Sequence, residues 1–432
     1  MTAALVMMVA CLLWVAGITV DREKTACRRT IEYWWAFSAF FFGGLFTLAS
    51  LSAAKLNGDQ ITALKAAPLV LLGIVLTGRT LLRRCAFIPP AGFALAICFG
   101  FMFTGEGLLM PLVSLLTFLP ALIVPRGGYN FDSLRAGAAG GISLFLAVLA
   151  LAVLVQPQQF LVGCSGTYKC SIWGAKIGLG ALGNSLGIYL AAAAAVTFLA
   201  ATTWYGFALA FWGSLLCVEI TVSRSGLVAW VIAVGVWICY VLAKRIRSRI
   251  PVTTASLLVC TTAALIPFRD WRPSDLTFRP VLWWQALRLF EESPLFGYGP
   301  SYWARDETGF RSGSNFALTA NYSTHNILLE MLISAGLLGA IAFIFALALA
   351  TASTRFEISS YTIALVGIVI GLSLTEVASA PGRIYLFPGF LIYLFAIASS
   401  ADGTKVRQPC EPSRETAGNA KASRGHDTFS VQ

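Results

Sequence analysis

Long apolar stretches recur along nearly the whole chain, and they limit the fold more than any motif does. A stretch of roughly 20 apolar residues is long enough to cross the hydrocarbon core of a membrane as a helix. Hydrophobic residues make up 57% of the chain and charged residues only 12%. Soluble domains are closer to half apolar and a quarter charged. The sequence therefore predicts an all-α polytopic membrane protein.

The apolar stretches predict about 12 to 13 transmembrane helices. The candidate spans are residues 1–20, 33–54, 62–82, 86–104, 107–125, 133–155, 184–202, 204–222, 225–243, 251–267, 326–350, 358–379 and 384–400. The first span lacks a basic leader region and a small-residue cleavage site, so we expect a membrane helix there and not a removed signal.

Lysine and arginine residues fall on one side of the membrane if these spans alternate in direction. Cytoplasmic loops carry an excess of such residues, so that side is predicted to be cytoplasmic. The basic connections are residues 22–29, 79–84, 126–135, 244–249 and 355. The N-terminus and the loops 156–183 and 268–325 are then extracytoplasmic, and the second of these is the one large outer loop.

Three segments follow from this organisation. Residues 1–177 are predicted to form the N-terminal transmembrane helices, and residues 178–400 contain the large loop and the polar motifs. Residues 401–432 are polar and poor in large apolar side chains, which predicts a disordered cytoplasmic tail. The net charge of +11 mostly reflects the cytoplasmic bias and the arginines of the outer loop, so nucleic acid is not an expected partner.

Two of the ten cysteines, Cys164 and Cys170, lie in the predicted outer loop 156–183. An oxidising compartment on that side favours a local disulfide between them. A metal site has no support, because no second histidine lies near and only this cysteine pair faces outward.

A histidine and an arginine interrupt the apolar pattern at the predicted outer surface. His325 is the only histidine outside the polar tail, and it immediately precedes a span. It is a candidate proton acceptor facing an anionic group, although a helix cap or a snorkelling side chain would occupy the same place. Arg224 joins two apolar runs, where it is either a counter-charge for an anionic substrate or a boundary charge that snorkels.

The large loop contains an amphipathic pattern followed by a glycine-rich turn. Residues 280–292 predict a helix with Trp283, Leu287 and Phe290 against the bilayer. Residues 295–300 form a sequence in which glycines allow the backbone to approach a ligand closely.

Several short motifs occur in a fixed order over residues 178–345. They are Leu182-Gly183-Asn184-Ser185-Leu186, Ser223-Arg224-Ser225-Gly226, Arg279-Pro280-Val281-Leu282-Trp283, Pro294-Leu295-Phe296-Gly297-Tyr298-Gly299, His325-Asn326-Ile327-Leu328-Leu329-Glu330 and Gly336-Leu337-Leu338-Gly339. In order and spacing these motifs resemble those of the O-antigen ligase and polysaccharide polymerase superfamily, the first of them most weakly.

The resemblance implies a glycosyltransferase-like fold of the C type and a transferase that needs no metal, nucleotide sugar or other cofactor. Such an enzyme moves a glycan from a polyprenyl diphosphate carrier to an acceptor hydroxyl on the outer face. By residue match, Arg224 and Arg279 would hold the diphosphate and His325 would act on the acceptor. Weaker candidates for substrate binding are Arg288, Tyr298, Trp303, Asn326 and Asn184.

The resemblance leaves the acceptor open. A ligase would use the lipid A core and a polymerase the growing glycan, in lipopolysaccharide or exopolysaccharide biosynthesis. Either enzyme would be a multi-pass protein of the bacterial inner membrane with its active site on the periplasmic face. Two alternatives remain: a lipid-linked oligosaccharide flippase or other secondary transporter, and a non-catalytic assembly partner of a synthase.

Overall fold

The computed structural model describes most of the chain up to residue 401. It covers residues 2–22, 30–49, 58–82, 86–102, 109–125, 128–164, 170–177, 182–272, 275–299, 302, 324–374 and 388–401. The described residues belong to one compact unit. The predicted disordered tail therefore lies outside the described residues, apart from its first residue.

Helices make up most of the described chain. They are α1 (Thr2–Arg22), α2 (Ile31–Ala49), α3 (Gly58–Leu82), α4 (Pro90–Met102), α5 (Leu109–Leu122), α6 (Phe131–Val155), α7 (Pro157–Phe160), α8 (Leu182–Ala200), α9 (Trp204–Ile220), α10 (Arg224–Ile246), α11 (Ile250–Leu265), α12 (Arg279–Glu292), α13 (Ile327–Thr351), α14 (Phe356–Leu372) and α15 (Pro388–Ala398). Two 3-10 helices, Ile266–Phe268 and Asp275–Phe278, lie between α11 and α12.

A helix coincides with each of the predicted spans, because a chain in lipid must satisfy its backbone hydrogen bonds within each segment. In the described residues, five stretches are long and apolar enough to cross a membrane. These are Thr2–Val20, Phe131–Val155, Arg224–Ile246, Ile250–Phe268 and Ile327–Thr351. Shorter apolar helices of 10–17 residues accompany them. The predicted class, an all-α polytopic membrane protein, is confirmed.

The strands of the described residues are short and join connections between helices. They are β1 (Ala86–Phe87), β2 (Val124–Pro125), β3 (Tyr129–Asn130), β4 (Leu161–Gly163), β5 (Ala175–Ile177) and β6 (Ser400–Ala401). β1 pairs antiparallel with β2, β3 pairs parallel with β6, and β4 pairs antiparallel with β5.

Helix α8 lies at the centre of the bundle. Residues 185–199 are buried in an unbroken run, and the helix packs against α2, α6, α9, α10 and α14. The first turn of α8 lies next to the start of α10.

Contacts between connections occur at both ends of the bundle. At the end predicted to be cytoplasmic, the Arg249 guanidinium donates to the Thr354 carbonyl at 3.1 Å, and Lys244 Nζ lies 3.7 Å from the Glu357 carboxylate. The β1–β2 and β3–β6 pairs join further connections of this same set.

The end predicted to be extracytoplasmic has contacts of its own. The Ile172 amide donates to the Glu219 carboxylate at 2.8 Å and links the β4–β5 hairpin to the end of α9. The Cys164 and Cys170 sulfurs lie 2.16 Å apart as a disulfide beside this hairpin. The polar motifs of residues 182–336 lie at this end.

Candidate functional site

The site begins at the first turn of α10, which is capped by a serine. Ser223 has an extended backbone, and its side chain accepts a hydrogen bond from the Gly226 amide at 2.9 Å. This is the favoured arrangement for a helix N-cap. Arg224 is the first helical residue, and its side chain is exposed. In the described residues, no hydrogen bond or ion pair engages the Arg224 guanidinium, which leaves it available to an anionic ligand.

Helix α8 contacts α10 at this same turn. The Ser223 hydroxyl lies 3.5 Å from the Asn184 carbonyl, to which it can donate. A Cβ atom added to Gly226 would come within 2.7 Å of the Gly187 carbonyl carbon, so only glycine permits this approach. Asn184 is thereby held beside Arg224, although it is the backbone of Asn184 that makes the contact.

Arg279 reaches the first turn of α10 from a distant part of the sequence. Its guanidinium donates to the Ser225 hydroxyl at 3.4 Å and to the Leu276 carbonyl at 3.0 Å. Ser225 directly follows Arg224 in the chain. The two arginines that were expected to hold a diphosphate therefore lie at the same end of α10, one exposed and one half-buried.

Helix α12 links this arginine pair to the histidine. Trp283 lies one turn beyond Arg279, about 6 Å along the helix axis. Its indole N–H donates to the Thr324 carbonyl at 2.9 Å, immediately before His325. Trp283 is fully buried, in a small core formed with Ala286, Leu289, Leu329 and Ile333.

The burial of Trp283 corrects the orientation predicted for α12. The helix itself forms where the pattern predicted it, but the prediction that Trp283 faces the bilayer is wrong. The apolar face of α12 packs on the first turns of α13, and Leu287 and Phe290 are partly buried against the same core. A fully buried indole is also not available to stack on a sugar, whereas the neighbouring Trp284 is 41% exposed.

Asn326, and not His325, caps α13. The Asn326 side-chain oxygen accepts from the Leu328 and Leu329 amides at 3.0 and 3.2 Å. Its side-chain amide donates to the Ala263 carbonyl at 2.9 Å, which ties the cap to the end of α11. The alternative in which His325 serves as the cap is therefore wrong, and Asn326 contributes to the site through structure.

His325 occupies a left-handed backbone conformation just before this cap. Its φ angle is 56°, a region that few residues other than glycine adopt, although asparagine, aspartate and histidine are enriched there. The imidazole is half-buried. Residues held in such conformations concentrate at functional sites, where the surrounding contacts must stabilise them.

A buried carboxylate stabilises the backbone before His325. Glu330, only 2% exposed, accepts from the Thr324 amide at 3.1 Å and from the Thr324 hydroxyl at 3.2 Å. The same hydroxyl lies 2.7 Å from the Asn326 carbonyl, so its one proton is shared between the two acceptors. Hydrogen bonds thus fix the chain on both sides of His325.

The glycine-rich turn after α12 docks into a kink of α13. The kink is at Gly336, whose φ is 64°. The Tyr298 amide donates to the Ile333 carbonyl at 2.7 Å, and the Leu337 amide donates to the Pro294 carbonyl at 2.8 Å. The turn therefore satisfies the carbonyl and amide groups that have no helical partner at the kink. This contact joins the end of α12 to α13, in addition to the hydrogen bond of Trp283 with Thr324.

Tyr298 lies on this turn with its hydroxyl directed to a carboxylate. The hydroxyl donates to Glu292 at 2.9 Å, and the ring lies 4.7 Å from that of Tyr302. Burial, followed by this hydrogen bond, raises the pKa of Tyr298 to about 12. The phenol is therefore protonated and able to donate at neutral pH.

The remaining predicted residues do not join this cluster in the described part of the chain. Arg288 is exposed on α12, about two and a half turns beyond Arg279 and therefore on the opposite face of the helix. Trp303 lies outside the described residues, as does most of the predicted loop after residue 299. Within the described residues, no group of three or more His, Cys, Asp or Glu side chains is arranged to hold a metal ion.

Sequence reasoning did not single out Ser225, Thr324 or Glu330. Ser225 belongs to the first turn of α10 and contacts Arg279 across 54 residues of sequence. Glu330 offered a usable signal, because a carboxylate in the first turn of an apolar membrane helix is costly unless it is paired.

These features define a class of protein: a polytopic helical membrane protein in which two arginines and the one histidine of the described residues lie at one end of the bundle. A family model described as O-antigen ligase matches residues 209–344, which include Arg224, Arg279 and His325. Over this region the chain is similar to the O-antigen ligase and polysaccharide polymerase superfamily, whose members are glycosyltransferase-like enzymes acting on lipid-linked glycans and acceptors. Neither the curated proteins nor the solved structures include a match.

Proposed function

We propose that the protein transfers a glycan from a polyprenyl diphosphate carrier to the hydroxyl of an acceptor sugar, at the extracytoplasmic end of the bundle. The observation that carries this proposal is the bridge made by α12. One end of this helix places Arg279 on the first turn of α10, and its next turn holds the backbone before His325 through Trp283. Cations and a potential base are thereby assembled on one rigid unit.

The arginines suit the departing diphosphate. Arg224 is exposed and Arg279 is half-buried, so both can contribute N–H donors to phosphate oxygens. An arginine can form paired hydrogen bonds with a phosphate, and such charge-assisted bonds are stronger than neutral ones. Fixed donors aimed at charge that develops during the reaction lower its barrier. In this proposal the two guanidinium groups neutralise the diphosphate as the bond to the sugar breaks.

The imidazole suits the acceptor. The acceptor oxygen attacks the anomeric carbon of the donor sugar, and the bond from this carbon to the phosphate oxygen breaks with its electron pair leaving on the diphosphate. The hydroxyl proton passes to His325. A side chain with an ordinary pKa near neutrality is the most effective base for this step. The hydrogen bonds of Thr324 and Asn326 hold the backbone on both sides of the imidazole.

The location follows from the same proposal. A lipid-linked glycan and a sugar acceptor would meet outside the cytoplasm, and the basic connections at the opposite end of the bundle support a cytoplasmic side for residues 244–249. We therefore propose an inner-membrane protein with its site on the periplasmic face. The acceptor would be either the lipid A core or a growing glycan, which makes the enzyme a ligase or a polymerase of lipopolysaccharide or exopolysaccharide synthesis.

A transporter or an assembly partner would use the same charges without making a bond. The charged side chains of the site lie at one end of the helices and not on broken helices at mid-membrane, where secondary transporters usually bind their substrates. A glycan-transfer assay with purified protein, lipid-linked donor and acceptor separates these possibilities, because a transporter or scaffold yields no product.

Conservative arginine substitutions provide the sharper test. In Arg224→Lys and Arg279→Lys the charge is kept, but a point ammonium cannot reproduce the paired donors of a guanidinium. We expect each variant to lose most transfer activity, by about tenfold or more, the effect of roughly 1.4 kcal/mol. Arg245→Lys is the matched control, because Arg245 is exposed at the opposite end of the same helix. Full activity of both site variants at equal protein level would remove the arginines from the reaction.

A further inference from the structure

Four basic residues surround the connection between α10 and α11, at the end of the bundle opposite the candidate site. Lys244 and Arg245 lie in the last turn of α10. Arg247 ends that helix with a left-handed φ of 53°, and Arg249 immediately precedes α11. In the described residues, the one ion pair of this group joins Lys244 to Glu357. Positive charge is therefore in excess at this connection.

Cavities open directly beside these side chains. One, of about 480 Å³, is lined by Arg247, Arg249, Ile250, Thr253, Thr254 and Phe356. A second, also of about 480 Å³, is lined by Lys244, Arg247, Phe356 and Glu357. Since Arg247 and Phe356 line both, the two cavities form one basic recess, which combines guanidinium and hydroxyl donors with an aromatic wall.

The arginines of the recess keep hydrogen-bonding capacity for a ligand. Arg249 is fixed by its bond to the Thr354 carbonyl and lies 5.9 Å from the centre of the Phe356 ring. A guanidinium has five N–H donors, so this single bond leaves most of them for another acceptor. Arg247 is exposed, and no hydrogen bond or ion pair within the described residues uses its guanidinium. Both side chains can therefore bind an anion such as a phosphodiester.

An apolar groove continues from the recess along the helices. This cavity, of about 460 Å³, lies between α11, α13 and α14, and Thr253 lines both it and the basic recess. Among its walls are Leu328, Ile344 and Leu347 of α13 and Ile363 and Val366 of α14. The Ser256 hydroxyl of α11 donates to the Ile363 carbonyl of α14 at 2.8 Å, and this hydrogen bond joins two walls of the groove.

Measured along α11, the groove is about as long as one leaflet of a membrane is thick. It extends on α11 from Thr253 to Ala264, which at 1.5 Å per residue is about 17 Å. Half of a hydrocarbon core of about 30 Å is about 15 Å. A single acyl chain anchored at the recess would therefore lie within the groove over nearly its whole length.

We propose that the recess and groove together bind an anionic phospholipid of the inner leaflet. Its phosphate would lie between Arg247 and Arg249, and one acyl chain would lie between α11 and α13. Charge complementarity selects the headgroup, since basic recesses between membrane helices on the cytoplasmic side favour acidic lipids. The recess lies at the other end of the helices from the transferase site, and the groove extends from it to Leu328 in the first turn of α13. The proposal does not depend on the reaction proposed there.

Lipid retention by the full-length protein tests the proposal. Purified protein is equilibrated with vesicles of equal phosphatidylglycerol and phosphatidylcholine, and the lipid that remains bound after re-isolation is quantified by mass spectrometry. We expect the wild type to retain phosphatidylglycerol in preference by about fivefold or more, as one nearby arginine is enough to produce. The double variant Arg247→Gln with Arg249→Gln should lose most of this preference, because the basic residue that still lines the recess, Lys244, is paired with Glu357. Arg245→Gln, which removes an exposed charge that lines neither cavity, should keep the preference.

A second variant tests the groove. Ala348→Phe places a ring in the groove wall on α13 and should lower the total amount of bound lipid without reversing the headgroup preference. A wild type without preference, or a double variant that keeps it, would overturn the proposal. The proposal would also be overturned if the protein retained a polyprenyl phosphate and the double variant retained the same amount of it. Glycan transfer is measured in parallel, so that loss of lipid binding can be distinguished from loss of the proposed reaction.

Discussion

Replacing His325 with asparagine separates a catalytic role from a structural one. Asn326 already supplies the cap of α13, with its side-chain oxygen on the Leu328 and Leu329 amides. The φ of 56° at position 325 is one that asparagine adopts more readily than most residues. The variant His325→Asn therefore keeps the cap and accepts the backbone, while it removes the imidazole.

The expected magnitudes are far apart. A substitution that leaves the cap, the buried packing and the backbone intact usually changes stability by no more than about 0.5 kcal/mol. Loss of a general base typically lowers the rate by about 10² to 10⁴. At about 1.36 kcal/mol for each factor of ten, this is roughly 2.7 to 5.4 kcal/mol of activation free energy. The folding effect and the catalytic effect of His325→Asn therefore cannot be confused.

The assay combines three measurements on purified protein: thermal unfolding, binding of the lipid-linked donor and glycan transfer. We expect unfolding and donor binding close to wild type with almost no transfer. Asn326→Ala is the matched control, since loss of a cap costs about 1 kcal/mol of stability while the imidazole remains. If His325→Asn retains more than about a tenth of wild-type transfer, below the smallest effect expected of a base, the mechanism proposed for this histidine is refuted.

Two further predictions concern the fold around the site. Gly336→Ala should destabilise the protein by roughly 1 to 3 kcal/mol, because the new Cβ would collide with the Leu295 backbone at a left-handed φ; Gly235→Ala, where nothing lies within 4 Å of the added atom, should not. Equal unfolding temperatures for the two variants would show that the kink is not held as described. In a cysteine-depleted background of intact cells, an impermeant thiol reagent should label Ser312→Cys and not Ser248→Cys, and the reverse pattern would invert the topology.

Much of the fold could be predicted from the sequence because lipid imposes a simple rule. Each apolar run had to become a helix, and helices such as Phe131–Val155 and Ile327–Thr351 lie where the runs predicted them. The pairing of helices could not be predicted in this way. The burial of residues 185–199 of α8 depends on which faces meet inside the bundle, and uniformly apolar segments do not mark one face.

The misplaced tryptophan shows the limit of an amphipathic pattern. The spacing of Trp283, Leu287 and Phe290 established that one face of α12 is apolar. It did not establish whether lipid or protein covers that face. An indole N–H needs a partner when it is buried, and the Thr324 carbonyl supplies one inside the protein. The acceptor is 41 residues away in sequence, so no local pattern could have identified it.

The candidate site was only partly predictable, for a related reason. The residues that carry charge, Arg224, Arg279 and His325, stood out because ionisable groups are rare in an apolar chain. The groups that position them did not stand out, since Ser225 and Thr324 are ordinary polar residues whose role depends on tertiary contacts. Glu330 is the one exception among the positioning groups. Burying a carboxylate in an apolar helix is unfavourable in free energy unless it has a hydrogen-bond partner, so the sequence indicated that a partner lies nearby.

The glycines of two motifs have one structural cause. A Cβ atom on Gly297 would come within 2.5 Å of the Ile333 carbonyl oxygen, and one on Gly336 would strike the Leu295 backbone. The turn and the kink can therefore interlock only if both positions lack a side chain. Their interlocking fixes the far end of α12, while Trp283 fixes its middle and Arg279 its start. The helix is thus tied to α10 at its start and to α13 at its middle and end, so these contacts of the fold hold Arg279 and the backbone before His325 on one helix.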